Sequence, residues 1–299
     1  MSTATRLFGP MRVPFLALTL SCVLLGVAAA RHADAAFAWP LAAVALVAAL
    51  AAHVSVNAFN EYLDFRSGLD ATTRRTPFSG GSGVLPADPA AAPFALATAL
   101  FALGVTVAAG LWLVSLRGAV LLPLGLLGVA LVLGATSWIT RSPWLCLVAP
   151  GLGFGPLMVV GTAIAVGGQY DRAAGFAALV PFFLVNALLL LNQFPDVEPD
   201  RAIGRRHLAI VQGRAQAARV YAGLVAAAYV SIVAGVALRA LPWTALAGLA
   251  TAPLAWSAAR AALAHPDDVD ALLPAMGRNV VVNLATPALL AAGLFLGRA

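Results

Sequence analysis

Apolar residues run along the chain in long, nearly uncharged stretches separated by short polar segments. Stretches of about 18 or more apolar residues are typical of membrane-spanning helices. Nine are present, at roughly residues 12–31, 37–59, 93–114, 118–139, 144–168, 174–194, 216–237, 240–262 and 278–297. They lack the alternation of membrane β-barrels, and backbone groups in lipid need partners within their own segment. The pattern predicts an all-α membrane protein, with nine transmembrane helices in a single bundle and one domain over residues 1–299.

Composition supports a membrane protein, because 62% of the 299 residues are hydrophobic and only 10% are charged. Soluble domains average about 25% charged residues. The first stretch, with Arg12 before it and AAARHADA after it, also fits a secretory signal peptide. We favour a transmembrane helix, since eight apolar stretches follow and the topology works best with nine. Cys22 and Cys146 lie within apolar stretches without metal-ligand spacing, so we interpret both as packing residues.

The arginines indicate an orientation, because positive residues concentrate on the cytoplasmic side. With a cytoplasmic N-terminus, thirteen of the 18 arginines face the cytoplasm, and five face outward: Arg31, Arg117, Arg172, Arg239 and Arg298. Only Asp34 and Asp171 of the twelve acids lie outside. The net charge of +6 suits a membrane whose inner leaflet is anionic. Nucleic-acid binding is the weaker interpretation, because the sequence has no soluble basic domain to carry it. We therefore predict a bacterial or archaeal plasma-membrane protein with its N-terminus in the cytoplasm.

The acids concentrate where the second predicted helix reaches the cytoplasmic side. Four polar residues share one helix face there, at positions i, i+3, i+4 and i+7: Asn57, Asn60, Glu61 and Asp64. We expect Gly68 to end this helix and Asp70 to lie in the loop after it. The preference of arginine for the cytoplasm does not extend to acids, so this cluster needs a separate cause.

A second polar face ends the sixth predicted helix, with members at i, i+4 and i+8: Asn192, Asp196 and Asp200. Pro195 and Pro199 predict that the helix kinks or ends here. The spacing from Asp64 to Asp196 is 132 residues, and so is the spacing from Asn60 to Asn192. A diverged four-helix repeat or coincidence would explain this match. Helices two and six run in the same direction, so both faces are expected at similar depth on the cytoplasmic side.

Acids at a helix end can be a solvated cap with arginine partners, but two faces at matched depth favour a functional site. Ionisable groups near the membrane interior are costly and usually mark a site. Carboxylates that meet without cations repel, and Mg²⁺ relieves this with one or two carboxylates plus substrate phosphate oxygens. Arginines flank both faces, and guanidinium groups bind phosphate bidentately. With an apolar bundle behind them, these groups predict a lipid diphosphate as substrate.

The two motifs resemble those of a known family. NEYLDFRSGLD (60–70) and DVEPD (196–200) resemble the aspartate-rich motifs of the UbiA-type intramembrane prenyltransferases. The chain resembles in particular the 1,4-dihydroxy-2-naphthoate prenyltransferases of menaquinone synthesis, whose motifs read Asn-Asp-x-x-Asp-Phe-x-x-Gly-x-Asp and DxExD…GKRTL. Within these motifs Glu61 replaces Asp, with Arg205 at the Lys position and His207 at the Thr position. After the fourth predicted helix, Trp138 and Arg141 stand where many relatives have a Tyr and a Lys. GLGFGPLMVVGT (151–162) also resembles a stretch in that group, where Phe154 replaces an acidic residue, which weakens the naphthoate assignment.

The resemblance implies Mg²⁺-dependent transfer of a polyprenyl group from a prenyl diphosphate to an aromatic, dihydroxynaphthoate-like acceptor. The implied metal ligands are Asn60, Asp64, Asp196 and Asp200. The arginines predicted to bind the diphosphate are Arg12, Arg75, Arg141 and Arg205. We predict that Glu61 or Asp70 takes the acceptor proton, while His53 is a further candidate that better fits a packed helix residue.

Two glycine patterns have less specific interpretations. PFSGGSGVLP (77–86) lacks the Lys-Ser/Thr of a nucleotide P-loop, and it fits either a flexible loop or a lid in which Ser79 and Ser82 donate to the diphosphate. Gly151 and Gly155 form a Gly-xxx-Gly pair that predicts close helix packing rather than chemistry.

Alternatives remain within and outside the enzyme class. Other acceptors are 4-hydroxybenzoate, a tocopherol-type ring, haem or a glycerol-phosphate lipid. A secondary transporter would place its acids near the bilayer midplane, often between inverted repeats. Here the acids gather at one surface and any repeat is parallel, which favours an enzyme. A lipid-binding scaffold would not need the full set of acids.

Overall fold

The computed structural model describes residues 2–33 and 37–297, so Asp34 and Arg298 lie outside the described residues. The main helices, labelled α1 to α9, are Ala17–His32, Trp39–Ser67, Ala92–Arg117, Leu122–Gly134, Pro143–Gly167, Arg172–Asn192, Arg214–Ala237, Ala252–Ala264 and Val269–Leu296. A short helix, Thr3–Phe8, precedes α1, and further short helices lie between main helices at Leu69–Thr72, Val84–Ala87, Val197–Ala202 and Leu208–Val211. Every regular element in the described residues is helical, which agrees with the predicted all-α fold.

Seven of the helical segments in the described residues are long and apolar enough to cross a membrane. The other two predicted spans have a different form. The span at 118–139 contains the shorter apolar segment Ala119–Gly134, which includes α4. The span at 240–262 is divided between a 3₁₀ segment, Trp243–Thr251, and α8. The apolar stretches are therefore helical, but the count of nine spanning helices stays a prediction.

The helices pack into a bundle in which α1, α6 and α9 are central. Helix α1 packs against α9, α6 and α5, and α6 packs along α7 and α5. Helices α2 and α3 pack along each other, and α2 also contacts α4 and α1. The main buried core joins α1 with α5, α6, α7, α8 and α9. The α2–α3–α4 side has its own smaller core, which it shares with the end of α5.

Helices α5 and α6 approach closely, as the glycine pair predicts. A Cβ added at Gly151 would collide with the backbone oxygen of Phe182 and the side chain of Asn186. One at Gly155 would lie 2.5 Å from the backbone oxygen of Ala178. The middle of α5, Gly153–Val160, is a π-helical section that packs against α6. Small residues therefore allow contact between the two backbones.

The C-terminal ends of α2 and α6 carry the two polar segments. Helix α2 continues to Ser67 and ends at Gly68, whose φ of 77° is in the left-handed region that glycine adopts readily. Asp70 then lies in the short helix Leu69–Thr72, not in an irregular loop. Helix α6 ends at Asn192, and the chain resumes helical structure at Val197–Ala202. Both acidic segments thus border short helices at one end of the bundle.

Candidate active site

Arg205 joins the two acidic segments. Its Nη1 donates a 2.9 Å hydrogen bond to Asp200 Oδ1, and its Nη2 donates to Asp64 Oδ1. All three side chains are largely buried, with 13% exposure for Arg205, 10% for Asp64 and 5% for Asp200. The structure therefore brings together carboxylates that are far apart in the sequence. One guanidinium donates hydrogen bonds to both of them and offsets part of their negative charge.

Further oxygens at this end lack hydrogen-bond partners although they are buried. They are Asp70 Oδ2, Asn192 Oδ1 and Asp196 Oδ1. Buried polar atoms are rarely left unpaired in native proteins, so such atoms indicate a missing ligand, ion or water. All three side chains line the same cavity, as do Asn60, Asp64, Asp200 and Arg205.

Two carboxyl groups outside the spanning helices hold their protons more strongly than usual. Burial, together with the nearby carboxylates of Asp64 and Glu61, raises the pKa of Asp70 from 3.8 to about 7. Burial, together with Asp200, raises the pKa of Asp196 to about 7, although Arg205 and the hydroxyl of Ser79 oppose this shift. Both carboxyl groups therefore change protonation state near neutral pH, as a group that takes up or releases a proton during catalysis must.

The donor set fits a magnesium ion, because carboxylate and amide oxygens are the hard ligands that Mg²⁺ prefers. Among the described residues, no three His, Cys, Asp or Glu side chains are already arranged as a metal cage. Mg²⁺ sites usually use only one or two carboxylates and complete their shell with water and substrate phosphates. The four predicted ligands are at the cavity wall, where the unpaired oxygens of Asp196 and Asn192 remain available.

Glu61 does not occupy the position expected of a catalytic base. Its side chain is fully buried, and it is not among the residues that line the cavity. Its Oε1 accepts 2.7 Å hydrogen bonds from Arg12 Nε and Ser82 N, and its Oε2 accepts one of 2.7 Å from Ser82 Oγ. Both oxygens are thus occupied by donors. Asp70 faces the cavity, whereas Glu61 lies behind the wall in the position of a residue that holds others in place, so the assignment of the acceptor base to Glu61 or Asp70 stays a prediction.

The four predicted diphosphate-binding arginines divide into two pairs. Arg12 and Arg205 line the cavity. Arg12 Nη2 also donates a 3.1 Å hydrogen bond to Asn60 Oδ1. Arg75 is exposed and donates a 3.3 Å hydrogen bond to the carbonyl of Ser82, so it holds the loop from outside. Arg141 is exposed beside α5 and outside the cavity wall. The prediction for Arg75 and Arg141 is therefore not supported by their placement.

Two other cavity residues had no predicted role. His207 is buried, and its Nε2 lies 3.1 Å from Asp200 Oδ2, so it helps to surround that carboxylate. Asn192 lies one turn before Asp196, and this spacing was the signal that could have assigned it. His53 is also at the wall, where its Nδ1 lies 2.8 Å from Thr19 Oγ1 and its ring meets Phe154 edge to face. These contacts agree with a packed helix residue.

The cavity has a volume of about 620 Å³ and runs from the acidic end into the bundle. On α2 its wall extends from Asp64 to Ala45, and on α3 it reaches Val114. Nineteen residues of α2 separate Asp64 from Ala45, which corresponds to about 28 Å of helix. The deep part is lined mainly by Ala, Leu, Val and Gly. A polar mouth followed by a long apolar interior suits an amphiphile with an anionic head.

Comparisons with known proteins agree with this architecture. The model of the UbiA prenyltransferase family matches residues 19–281. A 1,4-dihydroxy-2-naphthoate octaprenyltransferase of Bacillus subtilis (strain 168) is 29% identical over 198 residues, which cover 64% of this chain and 61% of that protein. The matched segment thus spans about three fifths of that relative's length.

Solved structures share the fold at low sequence identity. The apo structure of a UbiA homolog from Aeropyrum pernix K1 has a TM-score of 0.68 and 18% identity, with coverage of 93% of this chain and 97% of that one. A UbiA homolog from Archaeoglobus fulgidus, bound to DMAPP and Mg²⁺, has a TM-score of 0.61 and 15% identity, with coverage of 98% and 99%.

Proposed function

The chain belongs to the UbiA prenyltransferase family and is an integral membrane protein, and from this we propose that it transfers a polyprenyl group from a prenyl diphosphate to an aromatic acceptor. The observation that carries the proposal is the Arg205 junction between Asp64 and Asp200 at the mouth of the apolar cavity. Related proteins support it: one is named as a naphthoate octaprenyltransferase, and another was solved with DMAPP and Mg²⁺. We propose a dihydroxynaphthoate-like ring as acceptor.

The acidic residues would hold magnesium and the arginines would hold phosphate. The proposed metal ligands are Asn60, Asp64, Asp196 and Asp200, all at the cavity wall. Bound Mg²⁺ would neutralise the negative charge that grows on the departing diphosphate. Arg205 and Arg12, the two arginines at the wall, would donate hydrogen bonds to the same oxygens, and a partly dehydrated site strengthens such bonds.

The reaction breaks the bond between the allylic carbon and the diphosphate oxygen and forms a bond from that carbon to the ring. The attacked ring carbon then releases its substituent, in the simplest case a proton. Asp70 is the proposed base, because its carboxylate faces the cavity and its pKa is raised to about 7 by burial and by neighbouring Asp64 and Glu61. The apolar cavity would exclude water from the allylic cation.

The test is an assay of the full chain in membranes with labelled prenyl diphosphates. The acceptor panel holds 1,4-dihydroxy-2-naphthoate, 4-hydroxybenzoate, a tocopherol-type ring precursor, haem and glycerol phosphate lipids, and products are identified by mass. We expect a magnesium-dependent naphthoate product. Asp64→Asn and Asp196→Asn should abolish it, while the exposed Glu198→Gln should not. Turnover retained in both aspartate variants, both inserted normally, would defeat the metal assignment.

A further inference from the structure

Two arginines on the outer surface of the bundle have no role in the proposed catalysis. Arg219 is the sixth residue of α7, and Arg260 is the ninth residue of α8. Both side chains are exposed, and no residue of α7 or α8 lines the main cavity. Neither helix contains an Asp or a Glu, so no carboxylate on these helices can pair with the two arginines.

The packing of α7 against α8 brings the two arginines to nearly the same depth in the bundle. The two helices contact each other, and Tyr229 Oη on α7 lies 2.9 Å from Thr251 Oγ1, which directly precedes α8. From this contact the chain runs nine residues forward to Arg260 and ten residues back to Arg219. Because the helices are antiparallel, both steps lead toward the same end of the bundle and differ by one residue, or about 1.5 Å.

This depth matches the level of the lipid phosphates. Helix α7 begins at the acidic end of the bundle, where Arg214 Nε donates a 3.0 Å hydrogen bond to the carbonyl of Phe194, just beyond α6. Eighteen residues of α7 separate Arg219 from Ala237 at the other end, which corresponds to about 27 Å of helix. The hydrocarbon core of a bilayer is about 30 Å thick. Arg219 therefore lies near the edge of that core, where a guanidinium can extend toward the headgroups.

The outward faces of both helices are apolar beyond the arginines. On α7, Gly223 and Ala226 are exposed at i+4 and i+7 from Arg219, and a Cβ added at Gly223 would meet no atom within 4 Å. On α8, Trp256 is 65% exposed, four residues before Arg260 and on the same face. Tryptophan is enriched at the membrane–water interface. The small residues of α7 leave room for a hydrocarbon chain beside this indole.

The protein itself leaves most of the donors of both guanidinium groups free. Within residues 2–33 and 37–297, Arg219 makes one side-chain hydrogen bond, of 3.2 Å from Nη1 to Gln216 Oε1, and Arg260 makes none. Asp267, the acid nearest to Arg260 along the chain, lies 3.8 Å from Nη1 of Arg214 instead. Each guanidinium carries five N–H donors and a fixed positive charge. An anion from the surrounding lipid is therefore the partner that matches their charge and position.

We propose that Arg219 and Arg260 together bind the phosphate of one anionic phospholipid, with an acyl chain along Gly223 and Ala226 and with Trp256 at the level of the glycerol backbone. The axes of packed helices are about 8–10 Å apart, so two long side chains from neighbouring helices can reach one phosphate. Guanidinium groups bind phosphate oxygens in pairs. A zwitterionic lipid carries a cation in its own headgroup, so the two arginines favour an anionic lipid. This site is separate from the main cavity and does not depend on prenyl transfer.

The test is a lipid titration of the full chain, purified and delipidated in an uncharged detergent. The midpoint of thermal unfolding is followed as phosphatidylglycerol or phosphatidylcholine is added, because a lipid that binds the folded protein raises it. We expect the midpoint to rise with phosphatidylglycerol and not with phosphatidylcholine. The double variant Arg219→Gln, Arg260→Gln should need about tenfold or more phosphatidylglycerol for the same rise, since each arginine near the membrane surface attracts anionic lipid.

The matched control is the double variant Arg66→Gln, Arg141→Gln, which removes the same charge from exposed positions on other helices and should respond like the wild type. Native mass spectrometry from nanodiscs of both lipids should show one phosphatidylglycerol retained by the wild type and the control, and none by the Arg219, Arg260 variant. Equal loss of binding in both double variants would reduce the effect to general surface charge and overturn the site. The same rise of the midpoint with phosphatidylcholine, or with inorganic phosphate alone, would also overturn it.

Discussion

Arg205 takes the position of a cation between two buried carboxylates from different motifs. A guanidinium can donate to both at once, whereas an ammonium acts as a point charge. The side chain is 13% exposed, so water contributes little to its solvation. Arg205 therefore has a geometric role that charge alone would not fill.

We expect Arg205→Lys to lower kcat for prenyl transfer on the order of 100-fold, the loss typical of removing one donor to developing charge. The reason is that Nη1 of Arg205 contacts Asp200 and Nη2 contacts Asp64, and the single ammonium nitrogen of lysine keeps the charge but cannot occupy both positions. Arg201→Lys is the control, since Arg201 pairs with Glu198 three residues away on an exposed surface. Equal activity of both variants would contradict the bridging role.

The raised pKa of Asp196 predicts that magnesium binding depends on pH in the neutral range. Burial and Asp200 raise that pKa to about 7, and Mg²⁺ binds the deprotonated carboxylate. Apparent Mg²⁺ affinity should therefore increase between about pH 6 and 8 and level off above, whereas ordinary carboxylates would show no change there. Calorimetry in two buffers of different ionisation enthalpy would detect the released proton.

The same shift has a consequence for stability. Between about pH 4 and 7 the folded protein binds more protons at Asp196 than the unfolded chain does, so metal-free stability should fall as pH rises through this window. Asp196→Asn should remove the proton release and make the stability profile less steep, with the remaining slope coming from Asp70, whose pKa is also raised to about 7. If the Asp196→Asn protein still released a proton on binding Mg²⁺ near pH 7, that proton would come from another group.

The sequence indicated much of the site but not its internal contacts. Helical spacing placed Asn60 and Asp64 on one face, and the parallel direction of α2 and α6 predicted that the two acidic segments meet. The contact joins Glu61 on α2 to Ser82 in the glycine-rich loop, 21 positions later in the sequence, and no periodicity reports such a contact. Arg75 and Arg141 were predicted from proximity in sequence, but side-chain direction at loop residues is set by the fold.

At the scale of the helices, α5 and α6 depend on small residues at their contact. Gly155→Ala would place a Cβ 2.5 Å from the backbone oxygen of Ala178, which cannot move without shifting α6. We expect a lower midpoint of thermal unfolding in detergent, with a loss of about 1–3 kcal/mol as for overpacked sites. Gly161→Ala lies on the same helix segment with open space around its Cβ and should leave the midpoint unchanged. Equal unfolding midpoints for the Gly155→Ala and Gly161→Ala proteins would show that α5 can shift away from α6 without a loss of stability.

Composition located the helices well but could not show how each one is built. Gly68 ends α2 as predicted, because its left-handed φ suits glycine. The stretch at 240–262 is as apolar as the others, yet its first half, Trp243–Thr251, is a 3₁₀ segment. Hydropathy measures side chains and not the hydrogen-bond pattern of the backbone. The same limit explains why Ala119–Gly134 is shorter than its apolar run.

For the whole molecule, the distribution of arginines predicts that the acidic end faces the cytoplasm. Both native cysteines are buried, so an introduced cysteine can report on its own position. Arg66 and Arg172 are exposed at the ends of α2 and α6 that the topology places on opposite sides. In intact cells an impermeant maleimide should label Arg172→Cys, and it should label Arg66→Cys only after permeabilisation. The reverse pattern would invert the orientation.

The length of the apolar cavity predicts which prenyl donors fit. Gly110 lines its wall on α3, 18 residues from the start of that helix at Ala92, or about 27 Å. Gly110→Phe would fill this deep part, so an octaprenyl diphosphate should lose roughly tenfold or more in kcat/KM, as expected for about 1–3 kcal/mol of overpacking. Dimethylallyl diphosphate does not extend that far and should react at the wild-type rate. Gly104→Phe is the control, because Gly104 is exposed on the same helix and lies outside the cavity wall. If Gly110→Phe slowed the reaction of both donors equally, the prenyl tail would not lie along this cavity. The apolar interior would then not be the binding site of the tail.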